Sequence, residues 1–166
     1  MKRIWFVLFL AIALRVVGWL PFSGNDVVEL VPAETLTVDW EQNQVVLRSG
    51  DDSGYGEDWD GAMADLENAA EGVLFLGTVE QVVISKRAVH LLPDVVRSNR
   101  LRPSSAVCVC SGGLPAPEDA SKYLSAHDVG VTIQNIQAAM LREEGVRLPV
   151  LEQTKGGLRL RGSEDR

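Results

Sequence analysis

Two histidines, His90 and His127, and two cysteines, Cys108 and Cys110, are the side chains of this 166-residue chain best suited by type to acid–base or nucleophilic chemistry. His90 stands before the corner Leu91-Leu92-Pro93 and His127 beside Asp128, so both are expected as surface or helix-end residues rather than general bases. The cysteines alternate in Ser105-Ala106-Val107-Cys108-Val109-Cys110. On an extended strand residues i and i+2 share a face about 6 to 7 Å apart, which is poor geometry for a disulfide between them. Both therefore read as small core residues. The histidines fall outside any recognised metal-ligand spacing.

Three further patterns carry chemistry by type. The acids Asp51, Asp52, Glu57, Asp58, Asp60, Asp65, Glu67 and Glu71 run without a basic residue between Arg48 and Lys86. An EF-hand needs acids at loop positions 1, 3 and 5 with glycine at 6, and Gly56 occupies the first of these ahead of Asp58-Trp59-Asp60-Gly61. A solvated helix face with acids favoured in its first turn is the better reading. Ser111-Gly112-Gly113 comes after a strand, but the phosphate-loop and nucleophile-elbow patterns are missing. A tight turn accounts for it. Arg97, Arg100 and Arg102 would either hold a carboxylate or a partner's acidic patch, or stitch their loop to the acidic helix. These residues assign no catalytic group, no cofactor and no metal, and the chain reads as non-enzymatic.

The elements that would position them come from hydropathy and punctuation. Thr35 to Trp40 and Gln44 to Arg48 form a hairpin with Leu36, Val38 and Trp40 on one face and Glu41-Gln42-Asn43 as the turn. Ser49 to Gly56 has loop composition, and Asp58 then caps a helix to about Glu71 with the stripe Trp59, Met63, Leu66, Ala70. Val73 to Leu76 and Val79 to Ser85 read as strand, split by Gly77-Thr78, and Ser85 caps the helical stretch that begins at Lys86. In Lys86 to Asn99, Pro93 belongs to the first turn of a second short helix. Ala106 to Cys110 is a central strand, being apolar on both faces. Pro117 opens a helix through Leu124, and Asp128 precedes a longer one ending at Gly145 with the stripe Ile133, Ile136, Met140. Leu158 to Gly162 alternates like the beginning of a strand. The expected fold is thus α/β (α+β): a mixed sheet with an N-terminal hairpin and helices packed against it, preceded by a membrane segment.

That segment is Ile4 to Leu14, an apolar stretch behind Met1-Lys2-Arg3. A basic start and an apolar stretch of this length direct export or membrane insertion, with the positive end cytoplasmic and the rest of the chain outside. No small-x-small cleavage site comes after it, so the segment is expected to stay as a tether, weakened by Arg15. Residues 1–24 are the signal or anchor, 25–151 the domain and 152–166 a tail. Beyond residue 24, thirteen basic residues face twenty-three acids, a balance of −10 that excludes a nucleic-acid partner.

In this order the blocks of Gly56 to Met140 resemble the first domain of the Ger(x)C family, the C subunits of bacterial spore germinant receptors. They are Trp59-Asp60-Gly61-Ala62-Met63-Ala64-Asp65-Leu66, Leu74-Phe75-Leu76-Gly77, Val82 to Ala88, Leu92 to Arg102, the strand Ser105 to Cys110 and the helix Asp119 to Leu124. The resemblance implies a non-enzymatic subunit on the outer face of the spore inner membrane, partnered by two integral-membrane receptor subunits in germination. Two departures stand out: a lipobox cysteine is missing near the apolar segment, so an uncleaved helix would replace the lipid anchor, and the sequence stops near where a second domain would begin. A one-domain paralogue, a regulator and a truncated product all fit. The competing readings are an unrelated cell-envelope binding domain and, third, a small secreted hydrolase.

Overall fold

The structure, a computed structural model, describes residues 30–162. The membrane segment expected at Ile4 to Leu14, and the anchor 1–24 with it, lie outside the described residues. Among the described residues no helix is long and apolar enough to cross a membrane.

Alternation of apolar residues builds the sheet. Strands β2 (Thr35–Glu41) and β3 (Gln44–Ser49) pair antiparallel around Gln42-Asn43. Both turn residues have positive φ, 49° and 68°, the two-residue geometry whose twist matches that of the flanking strands. The next segment departs from the sequence reading. Asp52–Gly56, expected as loop, is strand β4, paired with β3 from Ser49↔Asp52 to Val45↔Gly56. Its glycines serve close packing rather than turning: a Cβ on Gly54 would lie closer than 3.0 Å to the backbone of Ala62 and Leu66, and one on Gly56 as close to that of Gly61 and Ala62. Helix α1 (Trp59–Ala69) therefore rests directly on the β4 backbone. Asp58 caps it by accepting from the Gly61 N–H at 2.8 Å, and Trp59, Ala62, Met63 and Leu66 are buried.

Strand β5 (Val73–Phe75) pairs with β1 (Leu30–Pro32) as a separate two-stranded ribbon. A 3-10 turn at Leu76–Thr78 leads into β6 (Gln81–Ser85). The Ser85 hydroxyl then accepts from the Ala88 N–H at 3.2 Å, as its position suggested, opening the 3-10 segment Lys86–Leu91. Helix α2 (Leu92–Arg97) comes next, with Pro93 in its first turn. The chain continues through β7 (Ala106–Ser111), α3 (Pro117–Leu124), α4 (Ile133–Leu141), β8 (Val150–Thr154) and β9 (Gly157–Arg161). The helix expected after Asp128 and ending at Gly145 spans only Ile133–Leu141, with Thr132 as its cap: Thr132 and Asn135 exchange the bonds of a capping box. Asp128 instead accepts from the Gly130 N–H at 2.9 Å in a turn. Met140, expected in the buried stripe, is 41% exposed in the last turn. The residues read as a tail become a hairpin, β9 returning antiparallel on β8 from Thr154↔Gly157.

The seven-stranded sheet has the order β4-β3-β2-β6-β7-β8-β9, with β2, β6, β7 and β8 mutually parallel, β3 and then β4 added antiparallel in turn on one side and β9 antiparallel on the other. The mixed α/β fold expected from sequence is thus present, with the expected β2–β3 hairpin lying inside the edge strand β4. The larger core lies on the face of Leu36, Val38, Val82, Ile84 and Val107, covered by Met63 and Leu66, Val95 and Val96, and Ile133 and Ile136 from α1, α2 and α4. On the other face Val83, Cys108, Cys110 and Leu151 pack under Ala120 and Leu124 of α3. Both cysteines are buried and free, as their alternation implied.

Candidate interaction surface

Parallel α/β sheets usually take ligands at the carboxyl ends of their strands, which makes that edge the first candidate for a site. Ser85 lies opposite Cys110, Cys110 opposite Leu151, and Asp39 one position beyond the Val38↔Ile84 pair. Asp39, Ser85 and Cys110 thus form one row across the strands, and all three are buried. Burial raises the Asp39 pKa, but bonds from the Ser85 hydroxyl and the Trp40 N–H, the Glu41 side chain and the Arg87 charge together outweigh it and hold the carboxyl below its ordinary value. Trp40 N–H donates at 2.8 Å and Arg87 Nη2 at 3.0 Å. This row locks the edge shut: Asp39 anchors the 3-10 segment that carries Arg87 onto the end of β2.

The thiols obey the same logic in reverse. Burial, then the neighbouring Cys110, pushes Cys108 up to about 12, and burial, then Asp39, raises Cys110. A thiol kept protonated at neutral pH is a poor nucleophile and a poor metal ligand. The histidines sit on different elements, each held through Nδ1 by a carbonyl of its own segment. His90 bonds the Arg87 carbonyl at 3.0 Å and packs edge-on to Trp40, whereas His127 bonds the Tyr123 carbonyl at 2.7 Å and stacks on that ring. Their surface and helix-end positions agree with the sequence reading.

Asp39 gives a pH dependence with a definite sign. Its carboxyl is more acidic folded than unfolded, so its contribution is complete above the unfolded value near 3.8 and disappears as the pH falls through the lower folded value. Asp39→Asn should cost about 1.5–3 kcal/mol at pH 7 and less once the pH falls below the unfolded value. Urea midpoints of both proteins at pH 7 and near pH 3 check this, and an unchanged difference would contradict it.

The arginines divide. Arg100 pairs with Glu67 of α1, the stitching role, and Arg102 Nη2 meets Glu80 at 3.1 Å. Arg97 shares a shallow cleft with Asp58, Asp60 and Asp94. Of the acid run, Asp58 serves as the cap and Asp65 accepts from the Tyr55 N–H at 2.8 Å. Gly112 turns at φ 110°, the tight turn expected after the strand.

Three acids of the run, Asp51, Asp52 and Glu71, meet two others at the opposite, amino-terminal end of β2. There a cleft of about 490 Å³ is lined by Glu34, Asp51, Asp52, Glu71 and Glu118. Among the described residues its lining contains no lysine or arginine, and its apolar wall is Val31, Pro32, Leu74 and Pro117. Glu34 accepts from the Ser121 hydroxyl at 2.9 Å. Among the described residues none of the five carboxylates forms an ion pair. Apart from Pro117 of α3 the wall belongs to the β1–β5 ribbon, which buries Leu74 and leaves Val31, Val73 and Phe75 exposed by 37%, 43% and 49%. A like-charged cleft beside bare apolar side chains suits recognition of a cationic, partly apolar partner better than bond-making chemistry. Sequence reading missed this surface because its members come from segments as distant as Val31 and Ser121. The one legible signal was the acid run without a cation.

Against known proteins, no family model, no curated protein and no solved structure matches the chain.

Proposed function

We propose that this chain is a non-enzymatic, membrane-tethered domain on the extracytoplasmic side, acting by protein contact in bacterial spore germination or sporulation. The observation that carries the binding reading is the acidic cleft walled by the β1–β5 ribbon. The groups with chemical potential lie elsewhere, the thiols buried and the histidines on separate elements. The tether rests on Ile4 to Leu14 behind Lys2-Arg3. The germination role rests on the block order shared with the first domain of germinant receptor C subunits. On this reading the partners are integral-membrane receptor subunits and the location is the spore inner membrane.

Gene context and timing test the role. A sporulation-specific promoter beside genes for two multi-span membrane proteins supports it. Expression in growing cells with no such neighbours would favour an unrelated envelope-binding domain using the same surface.

A further inference from the structure

We infer that Asp65 and Tyr123 seal the two edges of the seven-stranded sheet and so keep the chain from pairing edge to edge with a second copy of itself. The inference is independent of the acidic cleft and goes beyond the binding reading above. Among the described residues β4 and β9 are the outermost strands, the positions where a sheet can add a foreign strand through its outward N–H and C=O groups. Each is joined to its neighbour by a two-residue loop, Gly50-Asp51 between Ser49 and Asp52 and Lys155-Gly156 between Thr154 and Gly157. Opposed residues of an antiparallel pair alternate between exchanging both backbone bonds and turning those groups outward. Counted from the pair that closes each loop, the third pair beyond it is Val46↔Tyr55 in one hairpin and Leu151↔Leu160 in the other. Tyr55 and Leu160 therefore aim their N–H groups away from the sheet at the same register position of two unrelated hairpins.

Both N–H groups are met by a helix side chain. Tyr55 N–H donates to Asp65 Oδ2 of α1 at 2.8 Å, and Leu160 N–H to the Tyr123 hydroxyl of α3 at 2.9 Å. The two helices lie on opposite faces of the sheet, α1 over the larger core and α3 over the smaller. Each seal is held in place by contacts of its own helix: α1 rests on the backbone of Gly54 and Gly56, and the Tyr123 ring stacks on His127. A strand arriving at either edge has to displace a bond already made, and at β4 it also has to strip water from a carboxylate. The seals differ in strength, because the Leu160 bond is partly buried and the Tyr55 bond is exposed to solvent. Water can replace Asp65 more readily than it can replace Tyr123. Symmetry then fixes what each loss does. One unsealed edge pairs with the same edge of another copy and closes a two-fold dimer, whereas two unsealed edges propagate into open chains.

Light scattering of the full chain in neutral detergent tests this, in about 0.3 M salt to screen Arg159 and Arg161 of facing copies. The wild type is expected as one chain per micelle. Tyr123→Phe keeps the ring and removes the hydroxyl, and should shift to two chains, its self-association tightened by about ten-fold or more. Asp65→Ala should move the same way by less, and the double variant should give a ladder of larger species. A double variant that stays at one chain would overturn the proposal, as would a Tyr123→Phe dimer whose Leu160 amide exchanges as fast as in the single chain. Amide exchange in the wild type tests the seals even where a variant fails to fold. The Tyr55 and Leu160 amides should exchange at least about ten-fold more slowly than in an unstructured chain, and exchange at the unstructured rate would overturn the proposal.

Discussion

Replacing Gly56 by alanine is expected to destabilise the domain by about 3 kcal/mol or more, the upper end of what overpacking costs. The new methyl would meet the backbone of Gly61 and Ala62, which cannot rotate away as a side-chain tip would. Helix α1 would have to retreat from β4, and Trp59, Met63 and Leu66, all buried against the sheet, would lose packing with it. Gly54→Ala should behave alike, since its Cβ would meet the same helix at Ala62 and Leu66. Gly145→Ala is the matched control: its added methyl has open space around it, and its φ is not positive. That change should stay within about 0.5 kcal/mol of neutral. Thermal unfolding of the full chain in detergent, followed by near-ultraviolet circular dichroism of the tryptophans, measures all three. A Gly56→Ala midpoint equal to that of Gly145→Ala would remove the helix-on-strand contact from the account.

The second large effect concerns the tether. Removing residues 1–24 is expected to move the protein from the membrane to the soluble fraction. The eight Leu, Ile, Phe and Val residues between Ile4 and Leu14 supply roughly −2 to −5 kcal/mol of insertion free energy, against about +2.5 to +3.5 for an arginine held at mid-bilayer. These nearly cancel, so on this account Arg15 reaches toward an interface, where its cost falls. Arg15→Leu should then make the membrane fraction more resistant to extraction. Release of that variant from the membrane would contradict this balance.

What the sequence disclosed, it disclosed through local rules. Alternation in Thr35 to Trp40 sufficed for the hairpin, and Ser85, Pro93 and Pro117 marked their helical starts because capping and fixed φ act within a few residues. Asp52–Gly56 misled because its glycines signal turns by composition, whereas here they admit a helix backbone that only the tertiary fold brings near. The start of the helix after Asp128 was blurred because its cap, Thr132, is marked only by the reciprocal bonds it makes with Asn135. The β8–β9 hairpin was faint for another reason. Leu151, Leu158 and Leu160 gain their partners by pairing with β7 and packing on the α3 side, contacts remote in sequence.

The candidate site was less legible than the fold. Cys108 and Cys110 fill the smaller core, as read from their alternation, whereas the Asp39–Ser85 link between strand ends had no mark in the sequence. Glu34, Asp51, Asp52, Glu71 and Glu118 are ordinary surface acids until the β3–β4 turn, the ribbon and the start of α3 set them around one cleft. Convergence of that kind depends on topology, and a single sequence carries no local mark of it.

The most direct test of the central claim, a membrane-tethered domain facing outward, is fractionation of cells making the full chain or the chain without residues 1–24, with protease added to intact protoplasts. The account predicts that the full chain sediments with membranes, resists alkaline carbonate and is digested from outside, while the shortened chain is soluble and protected. A full chain found soluble in the cytoplasm, or a shortened chain still bound to membranes, would contradict it.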